Sequence, residues 1–232
     1  MLAFRRLLVF VFLAGILFII VAASLPMSAQ YYNSLVQPWN NILGTRGKPP
    51  SFLFVTIFTN NIRVLLLDTL PVAGPVLYFV SLYETAALLH VGVAGTPAFS
   101  AAPSASAIGL FAIPDTPLEI LAYTFPATTT LYFLINQFQT RKVRPSKYSI
   151  FFSSFRDFVD YCKLLLRGFA YGLVVLFIAA VIEASVIGSV MLVFVLWVPA
   201  FLLLEFLLST RVSKRLPDRI RKLFNLDRNF LL

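Results

Sequence analysis

The sequence has one cysteine, Cys162, and therefore no internal disulfide and no multi-cysteine metal site. It has one histidine, His90, with no acid-rich helical motif beside it, so no metal-ligand set stands out. Zinc-protease, serine-nucleophile and phosphate-loop patterns are all missing, and no enzyme class is indicated. Charged residues make up only 12% of the chain. A formal charge of +9 could suggest a nucleic-acid partner, yet no nucleic-acid module is visible. No cofactor motif is present either.

What fills the chain instead is apolar. Of 232 residues, 59% are hydrophobic, and mean hydropathy is +0.86. Soluble domains sit near 45–50% apolar. An integral membrane protein follows, all-α and polytopic. With roughly 20 residues per span, about six segments fit and no sizeable soluble domain does.

Residues 7–25 form a continuous apolar run after Arg5-Arg6, too long for a signal-peptide core of about 7–15 residues. It reads as a first span. Residues 27–51 are polar and turn-rich and read as an external loop, with Tyr31, Tyr32 and Trp39 at the headgroup layer. Residues 52–67 and 76–93 read as a pair of segments, spanning or re-entrant, joined by a corner holding Pro71, Gly74 and Pro75. Residues 92–114 are rich in small residues and read as a second external loop. Residues 116–138 read as a span broken by Pro126, whose freed carbonyls Thr128, Thr129 and Thr130 could bond.

Between residues 149 and 166, Phe155, Phe158, Cys162 and Leu165 recur at helical spacing opposite Asp157, Asp160 and Lys163. That pattern predicts an interfacial amphipathic helix. Residues 168–187 and 190–208 read as the last two spans. Residues 1–209 would be one transmembrane domain and 210–232 a basic cytoplasmic tail. Sixteen of the nineteen Lys and Arg residues fall on one side of this map. The positive-inside rule then places both termini in the cytoplasm of a multi-pass cell-membrane protein. Anionic lipid headgroups are the natural partners of the basic segments.

The stretch "IFTNNIRVLLLD" puts Asn60, Asn61, Arg63 and Asp68 in or beside a span. Glu84 and Glu183 lie at similar depth in other segments, and Glu119 near the outer start of its span. A charge at the centre of a membrane helix costs about 2.5–3.5 kcal/mol, so such groups face a bundle interior, pair up or line a wet cavity. Glu84 and Glu183 are the candidate partners of Arg63. The polar set reads as structural glue, as a substrate or proton pathway, or as an intramembrane catalytic site, in that order.

The order of these residues resembles the stage II sporulation protein M family. Phe58-Thr59-Asn60-Asn61 matches a Phe-x-Asn-Asn element, and Gly74 matches a following corner. Pro114-Asp115-Thr116-Pro117-Leu118-Glu119 half-matches Pro-His-Gly-x-x-Glu, keeping Pro114 and Glu119 but placing Asp115 and Thr116 where the family has His and Gly. Ala180-Val181-Ile182-Glu183-Ala184 fits Ala-x-Ile-Glu-Ala. The resemblance implies a helical membrane protein of five or six spans. It also implies a non-enzymatic partner of other envelope proteins; in spore formers the namesake works alongside cell-wall hydrolases during engulfment. The expectation is a scaffold or subunit of a membrane complex, associating with other membrane or envelope proteins or with copies of itself. The alternative is a transporter or permease subunit with a polar intramembrane site. In either case Asn60, Asn61, Arg63, Glu119 and Glu183 are expected to converge as a shared polar core.

Overall fold

The computed structural model describes residues 4–25, 28–43, 48–94, 111, 114–143, 155–186 and 190–208. Seven helices account for them: α1 (Phe4–Ser24), α2 (Ala29–Leu43), α3 (Pro50–Asp68), α4 (Gly74–Ala94), α5 (Asp115–Val143), α6 (Phe155–Val186) and α7 (Val190–Leu208). No strand occurs among the described residues. Four stretches are long and apolar enough to cross a membrane: Phe4–Ser24, Pro50–Asp68, Asp115–Gln137 and Phe158–Ser185. A shorter apolar helix covers Val195–Glu205 within α7. The expected loop over 92–114 and the tail over 210–232 lie almost wholly outside the described residues.

The bundle is built around α5. Leu118, Leu121, Ala122, Thr124, Ala127, Thr128, Thr129 and Thr130 are all shut away from the surface. Helix α5 pairs most extensively with α6 and also touches α1, α3 and α4. Helices α1 and α4 pair beside it. There Gly15 leaves room for Tyr78, because a Cβ on Gly15 would lie 2.0 Å from the Tyr78 hydroxyl. That hydroxyl bonds Thr124 Oγ1 at 3.1 Å and ties α4 to α5.

Three expectations change. Residues 29–43 are helical, where a loop was expected. Ser28 caps the start: its Oγ accepts from the Tyr31 N–H at 3.3 Å, and its carbonyl accepts from the Tyr32 N–H at 2.9 Å. Stacking of Tyr31 on Tyr83, with centroids 6.1 Å apart, then holds α2 against α4. A second change is that the expected surface helix over 149–166 and the span over 168–187 are one helix, α6, for every residue described from Phe155 onward. No proline separates them, and a helical glycine costs only about 1 kcal/mol. The 32 residues of α6 rise about 48 Å, more than a hydrocarbon core of about 30 Å. Tyr161 and Leu165 on its early turns are buried, while Phe155 and Leu166 are exposed. Tyr161 donates or accepts with Thr130 Oγ1 at 3.2 Å, so this part of α6 docks on α5. The third change concerns the break expected at Pro126, which lies inside a continuous helix.

Around Pro126, helices α5 and α6 approach closely. Proline has no N–H to give the carbonyl four residues back, here that of Ala122. Gly172 of α6 packs directly over that carbonyl; a Cβ there would lie 2.7 Å from it. Gly168, one turn earlier, sits over Thr129, whose Oγ1 donates to the Phe125 carbonyl at 2.8 Å. Thr124 does the same for the Ile120 carbonyl at 2.6 Å. Among the described residues no threonine hydroxyl reaches the Ala122 carbonyl: Thr129 bonds Phe125, Thr130 meets Tyr161 and Thr128 Oγ1 is unpartnered, so the expected repair by these three hydroxyls does not occur.

Helices α3 and α4 meet at a five-residue corner. The Gly74 N–H donates to the Leu70 carbonyl at 2.8 Å, and a Cβ on Gly74 would lie 2.1 Å from the Asp68 carbonyl oxygen. Only glycine fits there. Val72, in the same corner, has φ 66°, a left-handed conformation that a β-branched residue adopts at a cost of about 1–3 kcal/mol. Val72→Gly is expected to raise stability by about 1 kcal/mol, read as a higher unfolding temperature of the detergent-purified chain.

Candidate functional site

Helix α3 divides its residues between two faces. Phe58 packs edge-on against Phe177 of α6, with centroids 5.6 Å apart, and Phe54 does so at 5.4 Å. Continuing that stripe by turns of three and four residues gives Asn61, Leu65 and Asp68, and the last two are fully buried. The opposite stripe is Thr56, Thr59, Asn60 and Arg63, all exposed.

Helix α5 begins where its sequence says it should. Pro114 closes the preceding turn, Asp115 stands in the first helical turn, and Pro117 follows where a missing N–H is tolerated. Asp115 and Glu119 are one turn apart and face α6. Glu183 lies three residues before the end of α6.

These elements bring Asp115, Glu119 and Glu183 together. One carboxylate oxygen from each lies within 4.8 Å of those of the other two. Asp115 is buried, while Glu119 and Glu183 keep partial exposure. The side-chain amide of Asn61 donates to Glu119 Oε1 from α3. Asp115 Oδ1 has no hydrogen-bond partner. Three carboxyl groups at this spacing repel unless a proton or a cation lies between them. Glu183 stands near the negative end of the α6 dipole, which adds to the repulsion.

Tyr123, one turn beyond Glu119, is nearly buried and lies within electrostatic reach of Glu119, Glu183 and Asp68. Asp68 is fully buried at the C-terminal end of the α3 stripe, with neither carboxylate oxygen partnered. It forms a second acidic position apart from the cluster.

The polar core expected from sequence is therefore only partly assembled. Asn61, Asp115, Glu119 and Glu183 converge. Asn60 and Arg63 do not; they project from the outer face of α3. Glu84 is also exposed, on α4, so neither Glu84 nor Glu183 forms an ion pair with Arg63 among the described residues. The reason is geometric. Asn60 and Arg63 lie about 60° apart on a helical wheel, and Asn61 lies about 100° from Asn60 on its other side. The side chain of His90 lies outside the described ones.

The glycines that let α6 approach α5, and Tyr123, were not singled out by sequence. Their signal is present for the first: Gly168-Phe169-Ala170-Tyr171-Gly172 is a small-xxx-small repeat of the kind that brings membrane helices close.

No curated protein and no solved structure matches the chain. The family model for stage II sporulation protein M matches residues 8–186, about three-quarters of the chain, from the second turn of α1 to the last residue of α6. All four residues of the converging cluster fall inside that match, and on its extent the chain belongs to the stage II sporulation protein M family.

Proposed function

We propose that the chain is a non-enzymatic subunit of a membrane protein complex, joined to its partner through the outer face of α3. It crosses the cell membrane six times, by α1, α3, α4, α5, α6 and α7, with both termini in the cytoplasm. The distribution of basic residues supports that sidedness.

The observation that carries the reading is the exposed polar stripe of Thr56, Thr59, Asn60 and Arg63 on a membrane-length helix. Lipid tails offer these side chains nothing to bond. Arg63 lies five residues from the end of α3, about 7.5 Å, so its guanidinium can reach an interface along its own stem. Asn60, nearly a turn deeper, cannot. An asparagine facing lipid finds its bonding partners on another membrane helix. The partner is a membrane protein with a polar stripe of its own, either an envelope protein or a second copy of this chain.

A photo-crosslinking residue at position 56, one turn from Asn60 on the same polar stripe and installed in the full chain in native membranes, tests this. A protein adduct of defined mass is expected there, and none from position 55, whose valine is exposed on α3 but lies off the polar stripe. Equal yields at both positions, or lipid adducts alone, would remove the basis of the proposal.

A further inference from the structure

We propose that Asp115, Glu119 and Glu183 form a binding site for one calcium-like divalent cation at the junction of α5 and α6, with Asn61 holding Glu119 in position. The site stands independently of the subunit reading, which rests on the opposite face of α3.

The donor set decides the class of ligand. All three groups offer oxygen, and among the described residues no nitrogen or sulfur ligand stands with them. That favours hard cations over zinc or copper. Spacing narrows the choice. Two oxygens bound to one ion can be no further apart than twice the metal–oxygen bond, about 4.2 Å for Mg2+ and about 5 Å for Ca2+. The oxygens here lie within 4.8 Å of one another, inside the pairwise limit for a calcium-sized ion, and small side-chain rotations would bring all three within bonding distance of it.

A second observation points inward to a ligand. Asp115 is 5% exposed, and its Oδ1 lacks any hydrogen-bond partner. Among the described residues no main-chain or side-chain donor at the start of α5 bonds this oxygen. A buried acceptor left this way costs about 1–3 kcal/mol, more when charged. Two further features fit a cation. The described residues place no Lys or Arg against the three carboxylates, and Arg63 turns away. Glu119 and Glu183 remain partly exposed, which leaves room for the waters that complete a coordination number of six to eight.

Titration calorimetry of the full chain in detergent, stripped with chelator and titrated with CaCl2, reads the site directly. One ion per chain is expected, with a Kd at or below about 1 mM. Glu183→Gln, which keeps the shape of the side chain and removes its charge, is expected to weaken binding at least tenfold. Glu84→Gln, which alters an exposed carboxylate elsewhere, is expected to leave it unchanged. Asp115→Asn serves as an independent variant should Glu183→Gln not elute as a monodisperse helical protein. Absence of saturable calcium binding to the wild type would mean that shared protons alone neutralise the cluster, and would overturn the proposal. So would equal affinity in the wild type, Glu183→Gln and Asp115→Asn.

Discussion

Gly172→Leu is expected to unseat α6 from α5 and to cost the protein more than any other single change on that interface. Position 172 has no room in either direction. A Cβ would lie 2.7 Å from the Ala122 carbonyl oxygen and 2.9 Å from Leu65 Cδ1. The leucine methyl can swing aside, but the carbonyl is main chain and cannot. The graded variant Gly172→Ala separates two effects. Alanine is about 1 kcal/mol better than glycine as a helix former, which would stabilise an isolated α6. Forcing a methyl into a packed site costs about 1–3 kcal/mol. The contact with backbone decides the balance, so Gly172→Ala is expected to lower stability by about 1 kcal/mol and Gly172→Leu by about 3 kcal/mol or more. For a chain of this size, 1 kcal/mol corresponds to an unfolding-temperature shift of about 2–4 °C. An unfolding temperature unchanged in Gly172→Leu would show that the two helices do not meet there. The same approach positions Glu183 beside Glu119, so Gly172→Leu should also abolish calcium binding if the cluster depends on that pairing.

The class of the fold could be read from the sequence because it rests on quantity. Long apolar runs and scarce charge leave an all-helical membrane bundle as the answer. Where the reading diverged, a local signal was weighed without its tertiary context. Residues 29–43 carry asparagines and a proline that suggest a loop, yet Ser28 starts a helix and Tyr83 of α4 supplies the surface that keeps it. The amphipathic pattern near residue 160 suggested a helix lying flat on the membrane. Its buried side is instead centred on Tyr161, whose hydroxyl meets Thr130, and nothing in the local sequence announces that partner. Pro126 suggested a break, but the helix runs through it, and what covers the freed carbonyl is Gly172, forty-six residues on.

The site divides in the same way. Asp115, Glu119 and Glu183 could each be picked out as costly groups in apolar surroundings. That they share one location depends on the register of α5 against α6, and that register is set by Gly168 and Gly172. The split of Asn60 from Asn61, by contrast, was available in the sequence. Phe58, Asn61, Leu65 and Asp68 follow one helical stripe, and Thr56, Asn60 and Arg63 follow another. Applying the 3.6-residue period to each polar residue separately distinguishes them.

Those two adjacent asparagines are expected to respond in opposite ways to the same substitution. Asn61→Leu removes the amide that donates to Glu119 and leaves a carboxylate oxygen in the cluster without its donor. Hydrogen bonds to charged groups contribute about 1.5–3 kcal/mol, and orphaning the partner adds its desolvation cost. A loss of about 3 kcal/mol is expected in the detergent-purified chain, a lowering of the unfolding temperature by about 6–12 °C. Asn60→Leu removes an exposed amide with no hydrogen bond among the described residues, so stability in detergent is expected to stay within about 0.5 kcal/mol of the wild type. In native membranes the order reverses for assembly. Asn60→Leu is expected to reduce recovery of the crosslinked partner, because the lost group lies on the proposed docking face. Asn61→Leu acts there only through the fold. Equal destabilisation by the two substitutions would place both asparagines in one core and remove the division of α3 into an inner and an outer face. Equal indifference would take Asn61 away from Glu119. The two positions differ by one residue and about 100° of rotation, so the pair isolates the orientation of α3 from its composition.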